Sequence, residues 1–170
     1  MTVAQQLSIP GMHAAAAERR AGYAALRPML ASLLAGEHDL IANAANTAAL
    51  LFGSVPELNW LGFYFLKGGE LVVGPFQGKP ACVRIALGKG VCGTAAATGA
   101  TMVVPDVHAF AGHIACDAAS RSEIVIPLLR GDALLGVLDI DSPFPARFDE
   151  VDRAGLEELA RVFLCSLEAN

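Results

Sequence analysis

The chain has no cluster of basic residues, no long apolar run and no leader-like start. Its 12 Lys and Arg are scattered among 17 Asp and Glu, for a formal charge of -5. A surface of that sign offers no footprint for a nucleic-acid backbone. Apolar residues make up 54% of the 170 positions, but they come as dispersed Ala, Leu and Val. No stretch approaches the roughly 20 consecutive apolar residues that cross a bilayer. The opening Met-Thr-Val-Ala-Gln-Gln lacks the basic start and apolar core of a secretory signal, so a cytoplasmic protein is expected. Cysteine is sparse as well: Cys82, Cys92, Cys116 and Cys165 are spaced too irregularly for a zinc ribbon or finger. A reducing compartment disfavours static disulfides. Buried packing, a transient disulfide or a mixed metal site remain for these thiols.

What is present reads as one α+β domain spanning residues 1–170, with residues 1–12 a flexible N-terminal extension. Residues 13–35 are expected to be helical, with Pro28 kinking or dividing the helix because it lacks a backbone donor. Ile41, Ala45, Ala48 and Phe52 recur at helical spacing and share one helix face. From Asn59 the period changes to two: Leu61, Phe63 and Phe65 alternate with Trp60, Gly62 and Tyr64, and Gly68-Gly69 supplies a hairpin turn. Strands are expected at 71–74, 81–85, 101–104, 123–129 and 134–140, with a short helix at 92–98. Asp149 caps a last helix with Asp152 at its third position, and Leu156, Leu159, Phe163 and Leu167 form its apolar stripe.

Chemistry concentrates in a few places. The irregular segment 105–122 carries Asp106, His108, His113, Cys116 and Asp117, and a loop that long in a compact domain is usually functional. Cys116 has polar neighbours, and a thiolate there needs a cation such as Arg121 or His113 nearby. Cys165, on the terminal helix, reads as a small buried apolar residue. Residues 88–93 match a dinucleotide fingerprint as text, but their surroundings are hairpins, not βαβ units. The glycines there are better explained as turning strand into helix, which places Cys92 at a helix N-terminus that favours its thiolate. On the last strand, Asp139 and Asp141 share a face about 7 Å apart, and Glu123 opens the neighbouring strand. Three converging acids suggest a pocket that binds a cation or keeps one carboxyl protonated. An edge strand with a solvated face is the plainer alternative, and Trp60 is either a core residue or a wall of that pocket.

Several blocks resemble the free methionine-R-sulfoxide reductases. They are Asn59-Trp60-Leu61-Gly62-Phe63-Tyr64, residues 74–82 (Gly-Pro-Phe-Gln-Gly-Lys-Pro-Ala-Cys), residues 90–95 (Gly-Val-Cys-Gly-Thr-Ala) and Asp106-Val107-His108. The series continues through residues 112–117 (Gly-His-Ile-Ala-Cys-Asp), Ser122-Glu123-Ile124 and residues 136–143. Where that family has proline before the glycine-histidine pair, this chain has Ala111. The resemblance implies a GAF-type domain: an antiparallel sheet with N- and C-terminal helices packed on one side and a loop-covered ligand pocket on the other. It implies Cys116 as nucleophile, Cys82 as principal resolving cysteine and Cys92 as a third cysteine able to pair with the nucleophile. It also implies Trp60, Asp106, Glu123, Asp139 and Asp141 as substrate-binding positions. Glu123 or Asp141 is the candidate proton donor. The expected partners are free methionine sulfoxide, thioredoxin as external dithiol, and a second copy in a homodimer. No cofactor and no metal are expected. Two alternatives compete: a GAF-type sensor that binds a small molecule without turnover, and a metal site from His108, His113 and Cys116. The chain ends after one helix with no output domain, which weighs against the sensor.

Overall fold

Alternation of side chains along the strands creates the two faces on which the molecule is built. A computed structural model describes residues 8–112 and 117–168. Helices α1 (Ala16–Leu34) and α2 (Leu40–Ser54) precede strands β1 (Trp60–Lys67), β2 (Glu70–Gly78) and β3 (Arg84–Ala86). Helix α3 (Gly90–Thr98), β4 (Met102–Val104), a single 3-10 turn, β5 (Ser122–Arg130), β6 (Ala133–Ser142) and α4 (Glu150–Ser166) follow. One six-stranded sheet has the order β3-β2-β1-β6-β5-β4, and every pairing is antiparallel.

Leu61, Phe63 and Phe65 of β1, Ile124, Ile126 and Leu128 of β5, and Leu138 and Ile140 of β6 point to one face. There they pack with Leu26, Leu30, Leu51, Leu156, Leu159 and Phe163 of α1, α2 and α4. The opposite face carries Trp60, Tyr64, Val125 and Val137, covered by Val91, Cys92 and Ala95 of α3. Helix α3 is the crossover that carries the chain from β3 at one sheet edge to β4 at the other, so it must lie over β5 and β6. Gly93 lets it settle: a Cβ there would stand 2.3 Å from the Ala86 carbonyl oxygen.

A buried ionic group fastens the helical layer. Arg147, 1% exposed, pairs with Glu57 at 2.9 Å and Asp152 at 3.1 Å. Asp152 also accepts from Arg19 and from the Tyr23 hydroxyl, each at 2.8 Å. Ion pairs at such depth are strongly destabilising when one partner is removed, and this one joins α1, α4 and the segment entering β1.

Some expectations need correction. Pro28 does not divide α1, which continues to Leu34; Pro28 is on the exposed side, where water can satisfy the carbonyl its ring leaves without a donor. The buried face of α2 is Asn43, Ala44, Thr47, Ala48, Leu51 and Ser54, while Ile41 is 49% exposed. Asn43 reaches inward because its amide donates to Glu37 O and Ser166 Oγ. Residues 8–12 are not an extension: Ile9 is 1% exposed and its N–H donates to Ser54 O at 2.8 Å. Cys165 is exposed, not a core residue, because its position falls off the stripe that buries Phe163.

Candidate active site

Strand register brings the acids together. Asp141 of β6 lies opposite Trp60 on β1 and opposite Glu123 on β5; Asp139 lies opposite Gly62 and Val125. All point to the α3 side. Since β6 is central, flanked on both sides, an edge strand with a solvated face is excluded. Glu123 is 6% exposed and Asp139 7%. Cys92, in the first turn of α3, comes down on the same cluster, with Sγ 3.9 Å from Glu123 Oε1.

These side chains border a cavity of about 390 Å³, its mouth included, together with Asp117, Ser120 and the start of α3. Asp117 and Ser120 were not singled out as pocket residues in the sequence, and Asn59 holds both, donating to Asp117 Oδ2 at 3.3 Å and Ser120 Oγ at 2.9 Å. Lys79 pairs with Asp117 at 3.2 Å. The signal for this group was weak, because the Asn59 contacts span 58 and 61 residues of sequence.

Trp60 is buried beside the cluster but outside the cavity's immediate lining. Its ring stacks on Phe76 at 5.4 Å and leans on Tyr64 at 5.8 Å, and its indole N–H donates to Lys79 O at 3.0 Å. Gly62 makes room for this arrangement: a Cβ there would lie 2.6 Å from the indole and 2.3 Å from Phe76 Cβ. Tyr64 donates to Cys82 O at 3.1 Å. Asp106 caps the 3-10 turn, accepting from His108 N at 3.0 Å, and also stands outside the lining. Cys82 is in a disulfide, and Cys92 carries a free thiol. Cys116 and His113 lie outside the described residues, so the structure leaves their roles, and the metal site drawn through them, as expectations.

Burial governs the electrostatics. Desolvation raises Asp139 to about 6. Desolvation, then the charges of Asp139 and Asp141, hold Glu123 well above the carboxylate range; desolvation and Asp139 do the same to Asp141. Cys92 is likewise pushed up, by desolvation and then by Asp139 and Glu123. This corrects the expectation of a Cys92 thiolate, because removal from water and two nearby acids outweigh the α3 dipole. Among the described residues no basic side chain forms an ion pair with Asp139 or Asp141, although Lys89 borders the same cavity; burial gives these carboxylates a demand for positive charge.

That demand has a measurable cost. Asp139 ionises near 3.8 when unfolded and at about 6 when folded. Between those values the folded state binds more protons, so stability falls as pH rises and the loss is complete above the folded value. Asp139→Asn is therefore expected to stabilise the ligand-free protein near pH 8, by at most about 3 kcal/mol, with little gain at about pH 4. Urea unfolding at both pH values checks this, and a variant no more stable than the parent near pH 8 would refute the charge penalty.

The GAF domain family matches residues 30–163. A free methionine-R-sulfoxide reductase of Escherichia coli is 53% identical over 137 residues, 81% of this chain and 83% of that protein. Among solved structures, fRMsr of Staphylococcus aureus in complex with substrate superposes with a TM-score of 0.83 at 50% identity, covering 86% of this chain and 95% of that one. The free methionine-R-sulfoxide reductase of Neisseria meningitidis, in complex with its substrate, gives 0.83 at 47% identity over 88% and 90% of the two chains.

Proposed function

The chain belongs to the free methionine-R-sulfoxide reductase family of GAF domains, and from that premise we propose that it reduces free L-methionine-(R)-S-oxide to L-methionine. The observation that carries the reading is the row Trp60, Asp141, Glu123 across three strands, with Asp139 and Cys92 beside it. A free amino acid brings one ammonium group. Asp139 and the half-buried Asp141, neither ion-paired among the described residues, are suited to accept it, and a small cavity favours a free amino acid over a peptide.

Reduction then needs a thiolate and an acid. The Cys116 thiolate attacks the sulfoxide sulfur, and oxygen passes to Cys116. The substrate sulfur–oxygen bond breaks as the methionine sulfur gains two electrons and Cys116 becomes a sulfenic acid. Glu123, kept protonated by its surroundings, supplies the proton to the departing oxygen, with Asp141 as the other candidate. The Cys82 thiol next attacks the sulfenic acid, forming a disulfide and releasing water; Cys92 is the second resolving candidate. Thioredoxin or a similar dithiol returns both sulfurs to thiols and is itself oxidised. The disulfide at Cys82 supports its part in this cycle. The indole of Trp60, held rigid beside the acids by Phe76 and Tyr64, supports selection of one epimer, with Asp106 stabilising the loop turn ahead of Cys116. A cytoplasmic location and a homodimer belong to the same reading. No described helix is long and apolar enough to cross a membrane.

The test is consumption of the separated R and S epimers of free methionine sulfoxide with dithiothreitol or thioredoxin. Loss of the R epimer alone, one methionine per dithiol oxidised, is expected. If the protein binds the sulfoxide and releases no methionine, it is a ligand-binding GAF domain instead.

A further inference from the structure

The floor of the cavity has the donor set of a soft-metal site. Cys92 Sγ, one oxygen of Glu123 and one of Asp139 all lie within 4.8 Å of one another, and all three residues are buried. The donors come from α3, β5 and β6, so backbone packing fixes their spacing. A second observation distinguishes this group from a mere collection of acids. Asp139 contacts Cys92, Glu123 and the Ile140 amide, but its Oδ1, in a residue only 7% exposed, has no hydrogen-bond partner among the described residues, and Asp139 borders the cavity. An unsatisfied buried oxygen costs about 1–3 kcal/mol, and a cation bound there would remove that penalty.

The geometry points to a binding site for one soft divalent cation, of the zinc and cadmium class, held by Cys92, Glu123 and Asp139 with water completing the coordination. Bonds of ~2.3 Å to sulfur and ~2.1 Å to oxygen place tetrahedral ligand atoms roughly 3.5 Å apart. The observed 3.9 Å between Cys92 Sγ and Glu123 Oε1 is a few tenths of an ångström wider, within reach of side-chain adjustment. The thiolate favours zinc and cadmium over magnesium and calcium, which take oxygen ligands. Binding displaces the ligand protons into solvent and consumes no reductant or oxidant. The metal would be an inhibitor and not a cofactor, since it fills the place that the proposed mechanism gives to the substrate's ammonium group and to the acid. Oxidation of Cys92 into a disulfide would release it. The inhibition rests on the reductase reading; the site does not.

Cadmium makes the test direct. The reduced full chain carrying Cys82→Ser, Cys116→Ser and Cys165→Ser keeps Cys92 as its one thiol, and a thiolate bound to cadmium absorbs in the ultraviolet. The expected result is a band that saturates at one cadmium per chain. Adding Asp139→Asn is expected to weaken the binding at least tenfold, since loss of even an outer-shell partner typically costs about 10–100-fold, and Glu123→Gln provides an independent second loss. Circular dichroism confirms that each variant is folded. Absence of the band at one equivalent, or an affinity unchanged by both substitutions, would overturn the site. Zinc inhibition competitive with methionine sulfoxide is the separate arm: a saturating band without inhibition upholds the site and counts against the placement of the substrate.

Discussion

Cys116→Ser is expected to leave no measurable reduction of methionine sulfoxide, even with excess dithiothreitol. The reason is electronic rather than steric. The substrate sulfur must gain two electrons, and a cysteine sulfur can give them up while taking the oxygen as a sulfenic acid. A serine oxygen in the same place would have to become a hydroperoxide, and its proton is not lost near neutral pH as a thiol proton is. No rescue by a stronger reductant is expected, because the missing step precedes the disulfide. Single-turnover methionine release from the reduced variant is the measurement. Even one equivalent of methionine released per chain would move the nucleophile to Cys82 or Cys92. Thermal unfolding matched to that of the reduced parent would show that the fold survives.

The second large effect belongs to Glu123. With glutamine there, kcat is expected to fall by about 10²–10⁴-fold, the usual span for loss of a positioned acid. The pH profile separates this role from simple packing. The proposed acid acts in its protonated form, so the parent rate is expected to fall as pH rises through the folded value of Glu123, which burial, Asp139 and Asp141 hold well above the ordinary carboxylate range. Glutamine cannot titrate, so the variant should lose that descending limb and keep only what other groups impose. Those facing Glu123 are Cys92, Asp139 and Asp141, all titrating in the same cavity. A variant with the parent's rate at every pH would transfer the acid role to Asp141.

The sheet and the acids were legible in the sequence because both depend on period-two alternation, a local property. Leu61, Phe63 and Phe65 fall on one face and Trp60 and Tyr64 on the other, as the spacing predicts. Asp149 and Asp152 form the capping box that opens α4, again within four residues. What failed depends on distant partners. Ile41 is apolar and exposed while Asn43 is polar and buried, because Asn43 has a partner in Ser166, 123 residues away. Arg147 is 1% exposed only because Glu57 and Asp152 converge on it, and no sequence window contains all three. Cys92 was misjudged for the same reason. Its place at a helix start is local and suggests a thiolate, but Glu123 and Asp139 arrive from two strands and reverse the sign.

Trp60 is the only tryptophan in the chain, 3% exposed and in register with Asp141. Its indole absorption and emission therefore come from one place beside one cavity, without the averaging that several indoles impose. The molecule has a built-in optical probe, separated from the acids by a single strand spacing. Occupancy of the cavity can thus be followed by light alone, before any bond in the ligand is broken.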